Sequence, residues 1–309
     1  MSRTSFILAS FVFIVSLVLA GCVAQTAPSS EPAEPITDAA YLTGTQWNDG
    51  QAEVAFYQVE RTRNQYGQEA DQRFLVGTYL VKHDFDRAAM SKATEEAEQP
   101  EPSFKYALFY EFESGSYQYK RNYVVNAAQA DLTPLKASYT SFDWCSNAYR
   151  ELAFHADGTV AALMRSDDYG NRADAFAYRA NAYPVHELPL LVRGLDFSKA
   201  TEHTFAVVQA DGRYVRARAL FEGPDTIELL SGNVEAERIV VRYDQPVRSL
   251  VGEETDASET YWRGTGPERL LLKLEGETGR YRMTLVEALR TPYWSENFWP
   301  RLTQVTQRP

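Results

Sequence analysis

The stretch Phe104-Lys-Tyr-Ala-Leu-Phe-Tyr-Glu-Phe-Glu-Ser-Gly-Ser-Tyr-Gln-Tyr-Lys-Arg-Asn-Tyr123 alternates at period two on both sides of a Ser-Gly-Ser break. Phe104, Tyr106, Leu108, Tyr110 and Phe112 fall on one face of the first arm. Tyr117, Tyr119 and Tyr123 fall on one face of the second, with Gln118, Lys120 and Asn122 opposite. Successive side chains of a strand point to opposite sides of a sheet, so the pattern predicts a hairpin with an aromatic face. Such a face is either cross-strand core packing or the lining of a concave apolar cavity with phenol groups at its mouth. Tyr106, Leu108, Tyr110, Phe112, Tyr117, Tyr119 and Tyr123 are therefore the candidate ligand-lining residues.

The same period recurs on either side. Glu53 to Arg63 and Gln72 to Asp84 read as strands; the second is apolar on both faces, with Phe74, Val76 and Leu80 on one and Leu75, Tyr79 and Val81 on the other, so both sides are expected to be covered. Leu135 to Phe142 is another strand. Asp157-Gly158 and Asp211-Gly212 lie between alternating runs, a strong short-range hairpin signal. Arg172 to Arg179, Thr226 to Leu230, Glu237 to Tyr243, Thr260 to Arg263, Arg269 to Glu275 and Tyr281 to Ala288 complete the set. Only Glu187 to Val192 suggests a short helix or irregular crossover. About a dozen strands with no long helical pattern indicate an all-β fold: one large antiparallel sheet that curls into a half-barrel or splits into two layers.

The amino terminus carries a different signal. Arg3 precedes an uncharged apolar run from Phe6 to Leu19, too short for the roughly twenty residues a spanning helix needs. It ends in Leu19-Ala20-Gly21-Cys22, which resembles the lipobox of bacterial lipoproteins. The resemblance implies lipidation of Cys22, cleavage between Gly21 and Cys22, and an envelope protein anchored to a membrane. Three acyl chains, as the resemblance implies, anchor stably, whereas one binds only marginally. Val23 leans toward the outer membrane, facing the periplasm, in a Gram-negative cell. Residues 1–21 are thus a signal peptide. Residues 22–45, with Ala27-Pro-Ser-Ser-Glu-Pro-Ala-Glu-Pro35, are expected to be a flexible tether. Residues 46–291 form the β domain, and the aromatic segment 292–309, with Trp294, Phe298 and Trp299, is expected to dock on it.

Two further stretches carry a likeness. Leu188-Pro-Leu-Leu191, Glu237-Arg-Ile-Val-Val-Arg242 after Ser231-Gly-Asn, Tyr261-Trp262-Arg263, Glu268-Arg-Leu-Leu-Leu-Lys273 and Gly279-Arg-Tyr-Arg-Met-Thr-Leu285 follow one another in an order that resembles exported bacterial domains of unknown function. Trp47-Asn-Asp-Gly-Gln-Ala-Glu-Val-Ala-Phe-Tyr57 and Asp143-Trp144-Cys145 resemble uncharacterised envelope lipoproteins. The likeness implies a curled sheet akin to the half-barrels of outer-membrane lipoprotein carriers, which hold acyl chains on a concave face. The likeness brings no catalytic residues to carry over, and no cofactor is expected.

The chain has 309 residues and a net charge of -11, with no Lys/Arg block, which argues against a nucleic-acid partner. Cys145 is a candidate thiol nucleophile with His155 as base, weighed against a small buried hydrophobe. His83, His155, His186 and His203 have no partner at metal-ligand spacing and read as surface or turn residues, so no metal is expected. Asp167-Asp168-Tyr-Gly170-Asn171 lacks the spacing of a calcium loop and reads as a polar turn. Three functions stay open: a non-catalytic binder of an apolar ligand such as a lipid, or of a protein partner, in the curled sheet; an assembly lipoprotein that docks an envelope complex and has a filled interior; and a hydrolase using two carboxylates.

Overall fold

Alternation in the sequence becomes ladder in the structure. The computed structural model describes residues 34–65, 68–144, 146–209, 211–248, 250 and 255–295. In chain order the strands are β1 (Ala52–Gln65), β2 (Gln68–Asp86), β3 (Ser91–Lys92), β4 (Glu101–Ser114), β5 (Tyr117–Ala128), β6 (Pro134–Asp143), β7 (Asn147–Phe154), β8 (Thr159–Ser166), β9 (Arg172–Ala177) and β10 (Ala182–Pro184). After a short helix come β11 (Glu202–Val208), β12 (Tyr214–Leu229), β13 (Gly232–Arg248), β14 (Thr255–Gly264), β15 (Leu271–Gly276) and β16 (Tyr281–Thr291). Two short helices complete the set: α1 (Ala39–Leu42) and α2 (Leu188–Gly194).

These strands make one mostly antiparallel sheet of 16 strands. Its order is β10-β11-β12-β13-β14-β15-β16-β1-β2-β4-β5-β6-β7-β8-β9, with β3 attached to β2. The β10–β11 pair is parallel. Register shifts at Phe56/Tyr57, Asn126/Ala127, Phe221/Gly223, Arg242/Val247 and Trp262/Arg263 insert bulges, which bend a sheet and increase its twist. The sheet curls but does not close. Its two ends meet through side chains: the Tyr214 hydroxyl donates to the Ala177 carbonyl at 2.8 Å, the Tyr178 hydroxyl donates to the Ala182 carbonyl at 3.3 Å, and Val208 packs with Leu152, Phe154 and Val160. Gly158 and Gly212 both take φ 81°, the left-handed backbone that the Asp-Gly turns require.

The curl encloses α2. All seven of its residues are buried. Leu188, Leu190, Leu191 and Val192 join one core with Tyr57, Val76, Leu80, Leu108, Val241 and Leu274 from strands around the sheet. Each such side chain contributes about 1.5–3 kcal/mol by leaving water. On the opposite side of β1 and β2, Leu75, Tyr79 and Val81 pack beside the buried Ala52, Val54 and Phe56 and are themselves half-buried, so this face of β2 is covered only in part.

Two boundaries differ from expectation. Order does not wait for residue 46: Ile36, Tyr41 and Leu42 are buried beside α2, Asp38 N–H donates to the Gly194 carbonyl at 2.7 Å, and Arg269 binds Asp38 at 2.6 Å. Three apolar residues with no periodicity fill the end of the curl, and only the fold shows the space they fill. At the other end Tyr293 stacks on Tyr79 at 5.0 Å, while Trp294 is exposed; Phe298 and Trp299 lie outside the described residues. The expected separate strand Thr226 to Leu230 is the far half of β12, which continues past its bulge at Gly223.

Candidate functional site

In strands β4 to β9 the ladder register lines up four transverse rows on the inner face. Tyr106, Val125, Ala137, Leu152, Ala162 and Asp174 form the first. Leu108, Tyr123, Tyr139, Arg150, Met164 and Arg172 form the second. Tyr110, Arg121, Ser141, Ala148 and Ser166 form the third, and Phe112, Tyr119 and Asp143 the fourth. Where the rows carry Ala137, Ser141, Ala148, Ala162 and Ser166, nothing large enough to reach the far wall projects inward. The result is a cavity of about 750 Å³, within the ~300–1,000 Å³ usual for small-molecule sites. The opposite wall is made by Val185 and His186 after β10, by Gln209 and Arg213 at the β11–β12 turn, and by Pro246 and Arg248 at the end of β13.

The aromatic residues named from sequence divide. Tyr110, Phe112, Tyr119 and Tyr123 line the cavity. Tyr106 and Leu108 are on the same face but sealed in the core against α2, because β4 runs from the filled half of the curl into the open half. Tyr117 lies beyond the cavity, 44% exposed, with its ring 6.2 Å from Trp144. Within the lining, Phe112 and Tyr119 stack at 4.9 Å, and Tyr123 and Tyr139 lie 4.7 Å apart. Burial raises the Tyr110 and Tyr123 phenol pKa values, so both stay neutral donors.

Sequence reasoning passed over the charged part of the wall. Six arginines and five carboxylates line the cavity of a chain that carries -11 overall. Arg121 pairs with Asp143, Arg213 with Asp211 at 2.7 Å, and Glu151 takes Lys136 at 2.9 Å. Arg61 is buried over Phe112 at 4.5 Å, with Nε donating to Gln72 at 2.8 Å. Arg150 faces Tyr139 and Tyr169 at 5.6 and 5.9 Å, and its Nε is buried with no hydrogen-bond partner. The signal was there: Arg121, Tyr139 and Arg150 sit in phase with the apolar residues of their strands. A guanidinium in that phase faces the interior.

His186 departs from the surface-or-turn expectation, as do His83 and His203, which are half-buried on β2 and β11. His186 stacks on Tyr123, centroids 3.6 Å apart, in the cavity wall. Burial, then the Arg248 and Arg150 charges, push its pKa down to about 3, so it is a neutral imidazole. His83 meets the Asp84 carbonyl at 2.8 Å and Asn126 at 3.2 Å, His203 meets the Asp196 carbonyl at 2.6 Å, and His155 is exposed at its turn. Asp167 accepts from Asn147 N–H at 2.9 Å within the turn that its sequence predicts. Among the described residues no three His, Cys, Asp or Glu side chains are grouped to hold a metal ion. Gly21, Cys22 and Cys145 lie outside the described residues.

No family model matches this sequence. No curated protein matches it either. A crystal structure of a beta-barrel-like protein of domain of unknown function DUF1849, from Brucella abortus, is similar to this chain with 7% sequence identity and a TM-score of 0.44, covering 77% of this chain and 97% of that one.

Proposed function

We propose that this protein is a lipid-anchored envelope protein whose curled sheet takes an apolar ligand, such as a lipid, into the cavity of β4 to β9, with no chemistry of its own. The observation that carries the reading is the cavity itself: about 750 Å³ under a floor of small side chains and a wall of Tyr110, Phe112, Tyr119 and Tyr123. Large rigid aromatic rings supply apolar contact at little entropic cost. The anchor half of the reading rests on Leu19-Ala20-Gly21-Cys22.

Native mass spectrometry of the full chain, extracted from membranes, tests the binding half. The expected result is a bound mass on the wild type that Ala148→Trp, which fills the floor, does not retain. An identical set of bound masses on both, or none on either, overturns the reading. A second reading has one observation in its favour: Trp144, 68% exposed, packs edge-on against the exposed Tyr117, an aromatic pair suited to a protein partner in the envelope.

A further inference from the structure

A guanidinium in a cavity wall with no partner of its own offers a seat for an anion. Arg150 has no ion pair and no hydrogen bond among the described residues, and its Nε is shut off from solvent. Arg248, itself exposed, lines the same cavity from the opposite wall and has no ion pair or hydrogen bond among the described residues. His186 lies near both, stacked on Tyr123, and as a neutral ring it supplies no counter-charge. Three of the five carboxylates of the lining are engaged by other side chains. Asp143 is held by Arg121, Asp211 by Arg213, and Glu151 by Lys136 and the Tyr149 hydroxyl. Asp174 is on the inner face of β9, at the edge of the sheet with Arg172, and Asp168 is in the turn before it. Arg150 is half-buried with its Nε unpaired, and Arg is the side chain whose planar fork matches carboxylate and phosphate oxygens.

We propose that the ligand of this cavity is an anionic amphiphile whose carboxylate or phosphate head seats between Arg150 and Arg248, with its apolar body along Tyr123 and Tyr139. This rests on the cavity reading given above and adds the chemistry of the head. Row two of the floor already has that order: two tyrosines, then Arg150. The apolar stretch and the charge are adjacent across the strands, so one short-headed molecule spans both.

The test uses three probes with one tail: decanoate, decyl phosphate and decanol. Each is titrated calorimetrically into the full chain in phosphatidylcholine vesicles, with protein-free vesicles subtracted. The two anions are expected to bind about tenfold tighter than the alcohol, the scale of a charge-assisted hydrogen bond. Arg150→Gln and Arg248→Gln are each expected to erase most of that difference while melting near the wild-type temperature. Equal affinity for all three probes, or an anion preference that survives both substitutions, overturns the head assignment and leaves the cavity reading standing. No binding of any probe removes both. Inorganic phosphate separates the sources: if it binds as tightly as decyl phosphate, the site serves a free anion and the amphiphile is ruled out.

Discussion

At the residue scale, His186 and Glu187 are adjacent groups with opposite pH behaviour. The ordinary imidazole value is 6.5, and in the fold it is pushed down to about 3 by burial and then by Arg248 and Arg150. Between those values the unfolded chain holds a proton that the folded chain does not. Stability is therefore complete above the unfolded value and falls as pH drops through the window, by at most ~1.4 kcal/mol per pH unit. His186→Phe keeps a ring on Tyr123 and removes the proton. Urea midpoints measured across the acid range are expected to fall less steeply for this variant than for the wild type. Glu187 is fully buried, and neither carboxyl oxygen has a hydrogen-bond partner. Burial, with Asp131 adding to it, raises its pKa well above 4.5, so its contribution is present at low pH and lost as pH rises toward the folded value. Neither role was legible in Pro184-Val-His-Glu-Leu188, because no local pattern tells which of two neighbouring polar residues the chain will bury.

At the element scale, α2 is held by two arginines rather than by its own propensity. It has only seven residues, too few to be stable alone. Arg193 binds Glu53 of β1 through two bonds of 2.8 and 2.7 Å and the Glu268 carbonyl at 2.7 Å. Arg263 of β14 donates to the carbonyls of Val192, Arg193 and Leu195 at 2.9, 3.1 and 3.0 Å, satisfying groups that every helix end leaves unpaired and placing a cation where the helix dipole favours one. Arg193→Met leaves Glu53 buried without its partner and is expected to cost about 3–5 kcal/mol, read as a lower denaturant midpoint. Adding Glu53→Leu to it is expected to recover part of the loss, since the pair is then replaced by apolar contact. The strands themselves were readable from alternation, and the helix was readable only as Glu187 to Val192, a short helix or irregular crossover. That it would lie inside the curl was not, because its clamps come from residues 140 and 70 positions away.

At the scale of the whole molecule, one sheet does two jobs. Strands β10 to β16 with β1 and β2 wrap α2 into a filled half, and β4 to β9 turn the same curl into an open one. Bulges supply the bend, and tyrosine hydroxyls join the ends where a ladder does not form. This division answers the choice between core and cavity with both, and β4 passes from one to the other along its length. The proposed anchor belongs to this scale as well. Cys22→Ala is expected to abolish acylation and release the protein from the membrane fraction; if the variant still sediments with membranes and carries lipid, the anchor is something other than Cys22.

The amino-acid sequence by itself determined the all-β class, most strand positions, the Asp-Gly turns and the aromatic face of β4 and β5. Those are properties of a period-two backbone and of glycine at positive φ, and they act over a few residues. Tertiary structure alone decided that Tyr106 and Leu108 are sealed in the core while Tyr110 and Phe112, also core members, line space together with Tyr119 and Tyr123. It also brought Arg150, Arg248 and His186 to one cavity. The reason is physical. Whether an inward side chain meets a neighbour or a void depends on curvature and on what lies across the curl, and both are set by bulges and contacts between strands far apart in the chain.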